Sequence, residues 1–167
     1  VNTNSYEDTN VSRGYMYYYK VRSVNDAGSS TYSNVISYRV PLLKTTSKIT
    51  GVNYNAIGLS WDKVSYVTGY QIYRSTNETS GYKLVKTIKG SSTTSYTNTS
   101  LSNGVKYYYK VRGYKIVNGK TVYAAFSTPV SATTKVKTPT VSLSKYDYKN
   151  LSANWNKISG ATSYWVY

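Results

Sequence analysis

The chain has 167 residues carrying 21 Lys and Arg against six Asp and Glu, a net charge of +15, with neither His nor Cys. The missing His and Cys exclude a disulfide framework, zinc ligation by those residues, and the Ser-His and Cys-His nucleophile pairs of hydrolases. With 22 Tyr against a single Phe, 40% hydrophobic and 16% charged residues, the composition describes a folded β-rich protein and not a disordered chain, which carries few aromatics.

From the N-terminus, the residues after Val1 lack the charged start and apolar run of a signal peptide, and no later stretch approaches the roughly 20 apolar residues of a membrane-spanning helix. Tyr17-Tyr18-Tyr19-Lys20-Val21-Arg22 reads as a strand, and Asn25-Asp26-Ala27-Gly28 as a turn. A junction falls near Val40-Pro41, where a Pro without an N–H suits the start of a strand. Seven runs follow, at 47–52, 56–62, 68–75, 82–88, 93–98, 104–115 and 121–132, bounded by Gly, Asn or Ser clusters at the spacing of a β-sandwich. Ile57, Leu59 and Trp61 alternate on one run, Tyr70 and Ile72 on the next, and Tyr107, Tyr109 and Val111 on a later one, which makes these the inward faces. Asn118-Gly119 is a two-residue hairpin signal, because both residues tolerate positive φ. A second junction lies at Lys137-Thr138-Pro139.

Internal repeats set the domain organisation. The run Tyr17 to Arg22 recurs at Tyr107 to Arg112, an offset of 90, with Gly14 matching Gly104 and Tyr6 matching Tyr96. Trp61-Asp62-Lys63-Val64-Ser65 recurs as Trp155-Asn156-Lys157-Ile158-Ser159, an offset of 94, with Tyr70, Ile72 and Tyr73 matching Tyr164, Val166 and Tyr167. Ser33-Asn34-Val35-Ile36-Ser37 aligns with Ser127-Thr128-Pro129-Val130-Ser131 at 94 as well, so the extra residues belong to a hairpin loop. The expected organisation is a complete module at 41–134, preceded by the C-terminal half of another at 1–40 and followed by the N-terminal half of a third at 135–167. The junctions are short, so neighbouring modules should be semi-rigid.

With Trp and Tyr so placed, the pattern resembles the fibronectin type III family, in the form found in secreted and surface proteins of Gram-positive bacteria. Leu59-Ser60-Trp61, Gly69-Tyr70-Gln71-Ile72-Tyr73-Arg74 and Leu101 followed by Tyr107, Tyr109 and Val111 carry the resemblance. It implies tandem immunoglobulin-like, seven-stranded all-β sandwiches, one complete and two partial. Trp61 and its counterpart Trp155 are then structural, as is Leu101. Tyr107 falls at the family's tyrosine-corner position, with Tyr17 as its counterpart, and its hydroxyl is expected to bond a nearby backbone group. The resemblance also implies a spacer or ligand-binding role instead of catalysis, but fold alone does not decide function. No Arg-Gly-Asp tripeptide is present, so that adhesive motif is not carried over.

The catalytic chemistry open to the remaining residues is thin. Paired-carboxylate hydrolysis needs two acids about 5–9.5 Å apart, and the six acids, Glu7, Asp8, Asp26, Asp62, Glu78 and Asp147, place no credible pair in one module. No Gly-rich phosphate loop occurs, and no cofactor is implied. Glycosylation sequons at Asn10, Asn77, Asn98 and Asn150 do not repeat between modules and match what an Asn-, Ser- and Thr-rich composition yields by chance.

The sharpest feature is a basic and aromatic stripe, Lys106, Tyr108, Lys110 and Arg112, on the outward face of the sixth strand. Tyr18, Lys20 and Arg22 repeat it, and Gln71 and Tyr73 belong on the neighbouring outward strand. Such a face suits stacking of sugar rings and attraction of an anionic polymer. Cross-strand packing on a solvated sheet accounts for the same pattern. Nucleic acid is disfavoured as a partner, because the charge is spread over all modules and neither an RNA-binding sheet signature nor a recognition helix is present.

Three functional readings result. The first is a non-catalytic structural spacer within a larger extracellular or cell-surface bacterial protein: a surface protein, an adhesin or an accessory region of a secreted enzyme. The second is a module binding polysaccharide or anionic cell-wall polymer through the Tyr/Lys stripe. The third is a filament subunit that contacts neighbouring modules or self-assembles by pairing 135–167 of one chain with 1–40 of the next. Such a joined module lacks counterparts of residues 74–90, including the strand at 82–88, which counts against the third reading.

Overall fold

In the computed structural model, residues 3–145 and 148–167 are described; Val1 and Asp147 lie outside them. The described residues contain fourteen strands and no helix. They are β1 (Met16–Tyr19), β2 (Val24–Asn25), β3 (Gly28–Ser29), β4 (Ile36–Arg39), β5 (Ser47–Val52), β6 (Ile57–Trp61), β7 (Gly69–Ser75), β8 (Lys83–Lys89), β9 (Ser95–Asn98), β10 (Lys106–Val117), β11 (Lys120–Tyr123), β12 (Val130–Thr133), β13 (Val141–Lys145) and β14 (Leu151–Trp155). The protein is all-β.

Between residues 42 and 134 two antiparallel sheets close on one core. One has the order β5-β6-β9; the other has the order β11-β10-β7-β8, with β12 also on β10. The period-2 pattern dictates the packing, since β6 alternates buried and half-buried positions from Ile57 to Trp61, and β10 does the same from Tyr107 to Val111. Ile57, Leu59 and Trp61 from one sheet meet Tyr70, Ile72, Tyr107, Tyr109 and Val111 from the other, and Leu42 and Leu101 close the ends. Each large buried side chain contributes about 1.5–3 kcal/mol of transfer free energy, which makes this cluster the dominant stabilising feature of the segment.

Several Tyr hydroxyls find partners: Tyr70 and Tyr107 in the core, as amphipathic rings there require, and the half-buried Tyr17 and exposed Tyr164 outside it. The Tyr107 hydroxyl accepts from the Ser102 N–H at 3.1 Å, and Tyr17 accepts likewise from Ser12 at 2.7 Å. Tyr70 accepts from the Val64 N–H at 2.8 Å and packs on Trp61 with ring centroids 5.4 Å apart. Tyr164 repeats this arrangement, accepting from Ile158 N–H at 2.6 Å and packing on Trp155 at 5.6 Å.

One expected strand is two. The run at 121–132 breaks into β11 and β12, which pair in succession with the same edge of β10. Between them Ala124 N–H donates to Gly113 O at 2.9 Å and Ser127 N–H to Val111 O at 2.7 Å, while Val111 N–H donates to Ser127 Oγ at 3.0 Å. The serine hydroxyl thus stands where a backbone carbonyl would continue the ladder, and Pro129 has no N–H to restore it. The interruption recurs at Ser33, whose N–H donates to Val21 O at 2.8 Å and whose Oγ accepts from Val21 N–H at 3.0 Å. Since Ser33 is followed by no Pro until Pro41, the hydroxyl is the shared cause.

Outside this sandwich, β1 pairs with β4, β2 with β3 and β13 with β14 as two-stranded sheets. Asn25-Asp26-Ala27-Gly28 forms the β2–β3 turn, with Gly28 at φ 139°. Asn118 and Gly119, both at positive φ, form the β10–β11 turn.

Candidate functional site

The outward face of β10 is built by the pleat. With Tyr107, Tyr109 and Val111 buried, Lys106 is exposed and Tyr108, Lys110 and Arg112 are half-buried on the opposite face. Register against β7 sets Tyr108 opposite Ser75, Lys110 opposite Tyr73 and Arg112 opposite Gln71, so Gln71 and Tyr73 join the same face.

Arg112 is the most constrained group there. Its Nε and Nη2 donate to Gln71 Oε1 at 3.1 and 2.9 Å, and Nη2 also donates to the Tyr73 hydroxyl at 2.9 Å. Its Cζ lies 3.8 Å from the Tyr123 ring centroid, 4.6 Å from Phe126 and 5.1 Å from Tyr73. Tyr73 and Phe126 themselves meet edge to face at 5.0 Å. A guanidinium stacked by aromatic rings and hydrogen-bonded on its edge has its faces and two of its nitrogens occupied, so an incoming ligand finds fewer open contacts there, while its neutral partners leave the positive charge in place. Tyr73 is likewise engaged on ring and hydroxyl.

The rest of the stripe is more open. Lys110 Nζ lies 4.1 Å from the Tyr82 ring centroid, and Lys106 Nζ lies 5.1 Å from that of Tyr108. Burial, with a smaller contribution from Glu78, raises the Tyr82 hydroxyl above its ordinary range, so its ring faces Lys110 as a neutral phenol. The first repeat keeps the pairing of cation and ring: Lys20 Nζ is 3.8 Å and Arg22 Cζ 5.3 Å from the Tyr32 centroid, and Tyr18 stands exposed. Sequence reasoning missed Tyr82, Tyr123, Phe126 and Tyr32. Phe126 and Tyr32 were detectable, since they occupy matching positions just before Ser127 and Ser33. Tyr82 and Tyr123 reach the face from other strands and loops, which no period along β10 reveals.

A second cluster lies inside the sandwich. Asn98 is buried, and its Oδ1 accepts from Arg74 Nη1 at 2.9 Å and from the Tyr109 hydroxyl at 3.1 Å. Burial raises Tyr109 well above 10.0 despite the opposing charge of Arg74. In the first repeat Asp8 takes this role, accepting from the Tyr19 hydroxyl at 2.8 Å. The Asn98 sequon is thus engaged in packing. Among the described residues no three His, Cys, Asp or Glu side chains gather into a metal site, and no helix is long and apolar enough to cross a membrane.

Residues 45–133 match the fibronectin type III domain family, and the chain belongs to that family. No curated protein matches it. Among solved structures it is similar to a two-domain fibronectin type III segment of chicken tenascin, at 17% identity and TM-score 0.52, with 71% of this chain and 63% of that one covered. It is also similar to a beta-1,2-glucanase from Parabacteroides distasonis, at 26% identity and TM-score 0.50, with 58% of this chain and 13% of that one covered. The FN1-FN3 domains of chicken CNTN1 align at 19% identity and TM-score 0.48, over 78% of this chain and 44% of that one. The chain therefore spans less than two thirds of the length of each.

Proposed function

We propose that this chain is a non-catalytic structural spacer from a larger extracellular bacterial repeat protein of Gram-positive type, with a complete module at 41–134, the back half of a module at 1–40 and the front half of another at 135–167. The observation that carries this reading is that both junctions are stitched. At the first, Lys115 Nζ donates to Arg13 O at 2.9 Å and lies 4.6 Å from the Tyr15 ring centroid, while Arg13 Nη1 donates to Pro41 O at 3.3 Å. At the second, the turns at Gly104 and Gly160 touch so closely that a Cβ on Gly160 would come within 2.5 Å of Asn103 O. Gly14 and Gly104, one repeat apart, both face the following unit. Such contacts hold the end segments at set angles to the complete sandwich, as a spacer requires.

The non-catalytic part of the reading rests on side-chain chemistry. Without His or Cys, a proton would have to be moved by scattered carboxylates, by Lys or by a Tyr, and the buried Tyr109, bonded to Asn98, is held neutral. The rigid-spacer reading is tested with spin labels on single cysteines introduced at exposed Thr9 and Ser92 of the otherwise cysteine-free chain. A narrow distance distribution is expected; a broad one would overturn it.

A second reading, binding of anionic cell-wall polymer or polysaccharide, is favoured by the open part of the stripe: Lys106, Tyr108 and Lys110, with Tyr18 exposed in the first repeat. Retention on isolated cell wall that disappears in a Tyr18→Ser, Tyr108→Ser, Lys110→Ser chain would support it, and unchanged retention would remove it.

A further inference from the structure

Lys106, Lys110 and Arg112 follow one another along the outward face of β10 in the complete sandwich, and the partners the structure gives them are neutral. Lys106 lies against the Tyr108 ring, Lys110 against Tyr82, and Arg112 against Tyr73, Tyr123, Phe126 and the Gln71 amide. Rings and amides hold a cation in place without cancelling its charge, so the face keeps its positive charges in line. At about 3.3 Å per residue, Lys106 and Lys110 start about 13 Å apart along the strand, and Lys110 and Arg112 about 7 Å. The charge of Glu78 is felt at the edge of this face, at the Tyr82 hydroxyl.

We propose, building on the second reading above, that the ligand of this face is a linear polyanion laid along β10 and recognised by its repeated negative charge, and not a neutral glycan recognised by stacking. Stacking needs an open ring face. Tyr73, Tyr82 and Tyr108 are half-buried, and each has a guanidinium or ammonium set over its ring, at 5.1, 4.1 and 5.1 Å from the centroid. Phe126 meets Tyr73 edge to face as well, and the more exposed Tyr123 carries Arg112 at 3.8 Å. A sugar ring would have to displace a cation to reach any of them.

An anionic group meets no such obstacle. An ammonium has three donors, and a ring beneath it leaves the others pointing away from that ring, free for phosphate or carboxylate oxygens. The cation–ring contacts then position the charges and need not be broken when the ligand arrives. Lys20 and Arg22, at the positions of Lys110 and Arg112, again meet a neutral ring, Tyr32, so the first repeat carries the same device.

The test is calorimetric titration of the 167-residue chain with linear polyphosphate, polygalacturonate and dextran, which carry repeated phosphate, repeated carboxylate and no charge. One or both polyanions should bind and dextran should not; the tighter polyanion tells whether phosphate or carboxylate is preferred. Log K should fall linearly with log salt, and the slope should shrink by about 2 when Lys106→Gln and Lys110→Gln are combined, about 1 for each ammonium removed. Because the whole chain carries +15, a second pair controls for diffuse attraction: Lys48→Gln with Lys63→Gln, exposed on β5 and on the β6–β7 connection. That pair should lower the affinity much less. Tyr108→Leu should leave the slope unchanged and Glu78→Gln should tighten binding, with the urea midpoint of each variant as the folding control. Dextran binding that is lost in Tyr108→Leu would overturn the polyanion and leave the second reading standing. Equal loss in the two lysine pairs, which assigns the attraction to net charge, or no binding to any of the three polymers, would overturn both.

Discussion

Arg112 and Ser127 show how single side chains decide whether this face and this sheet hold together. Arg112→Ala removes a guanidinium that three rings and Gln71 enclose, and a loss of about 1–2 kcal/mol is expected from cation–π and charge-assisted bonds of this kind. Urea titration of the chain checks it, and Arg112→Lys should recover only part, because an ammonium cannot stack or fork. Ser127→Ala leaves the buried Val111 N–H without an acceptor, at a cost of about 1–3 kcal/mol by the same titration. Tyr109 gives a pH signature. Its hydroxyl titrates above 10.0 in the folded chain and near 10.0 when unfolded, so the unfolded state releases the proton first. Its contribution is fully present below pH 10.0 and is lost as pH rises beyond it toward the folded value. Melting temperature should fall across that alkaline range, and Tyr109→Phe should flatten part of the slope.

At the scale of elements, β7 is the strand on which both neighbours depend, and Gly69 is where it tolerates least. A Cβ there would collide with Ile88 O of β8 and approach the Tyr114 ring of β10 at 3.0 Å. Gly69→Ala should therefore loosen the outer strand β8 and cost about 2–3 kcal/mol, the upper part of the ordinary range for single substitutions. Hydrogen exchange should show the loss first in the amides of β8. The elements themselves were legible where one face is buried: the alternation of Ile57, Leu59 and Trp61, or of Tyr107, Tyr109 and Val111, leaves only one side of each strand able to meet the core. The break between β11 and β12 had one signal in the sequence, Pro129 inside the run, but the part played by Ser127 was not legible. Only the arrival of Val111 N–H at its hydroxyl shows that the side chain has replaced a carbonyl in the ladder.

For the whole molecule, the junctions are the places where a small change travels furthest. A Gly160→Val substitution puts branched carbon into the Asn103 carbonyl and should push the last segment off the sandwich without lowering the stability of the 41–134 core. A spin-label pair on the exposed Ser92 and Ser163 would report it as a broadened distance distribution beside an unchanged urea midpoint. Repetition and two-residue periodicity are properties of the chain itself, so the β architecture, the offsets of 90 and 94 and the inward Trp and Tyr positions could be read from the order of the residues. The same order set out Lys106, Tyr108, Lys110 and Arg112 as neighbours on one face. Folding was needed to show that Arg112 is enclosed internally, since Tyr123 and Phe126 reach it from outside β10 and no spacing along that strand encodes their approach. Folding likewise made β8 an exposed edge, because position within a sheet depends on which strands remain to pair, a quantity absent from the local pattern of any one of them.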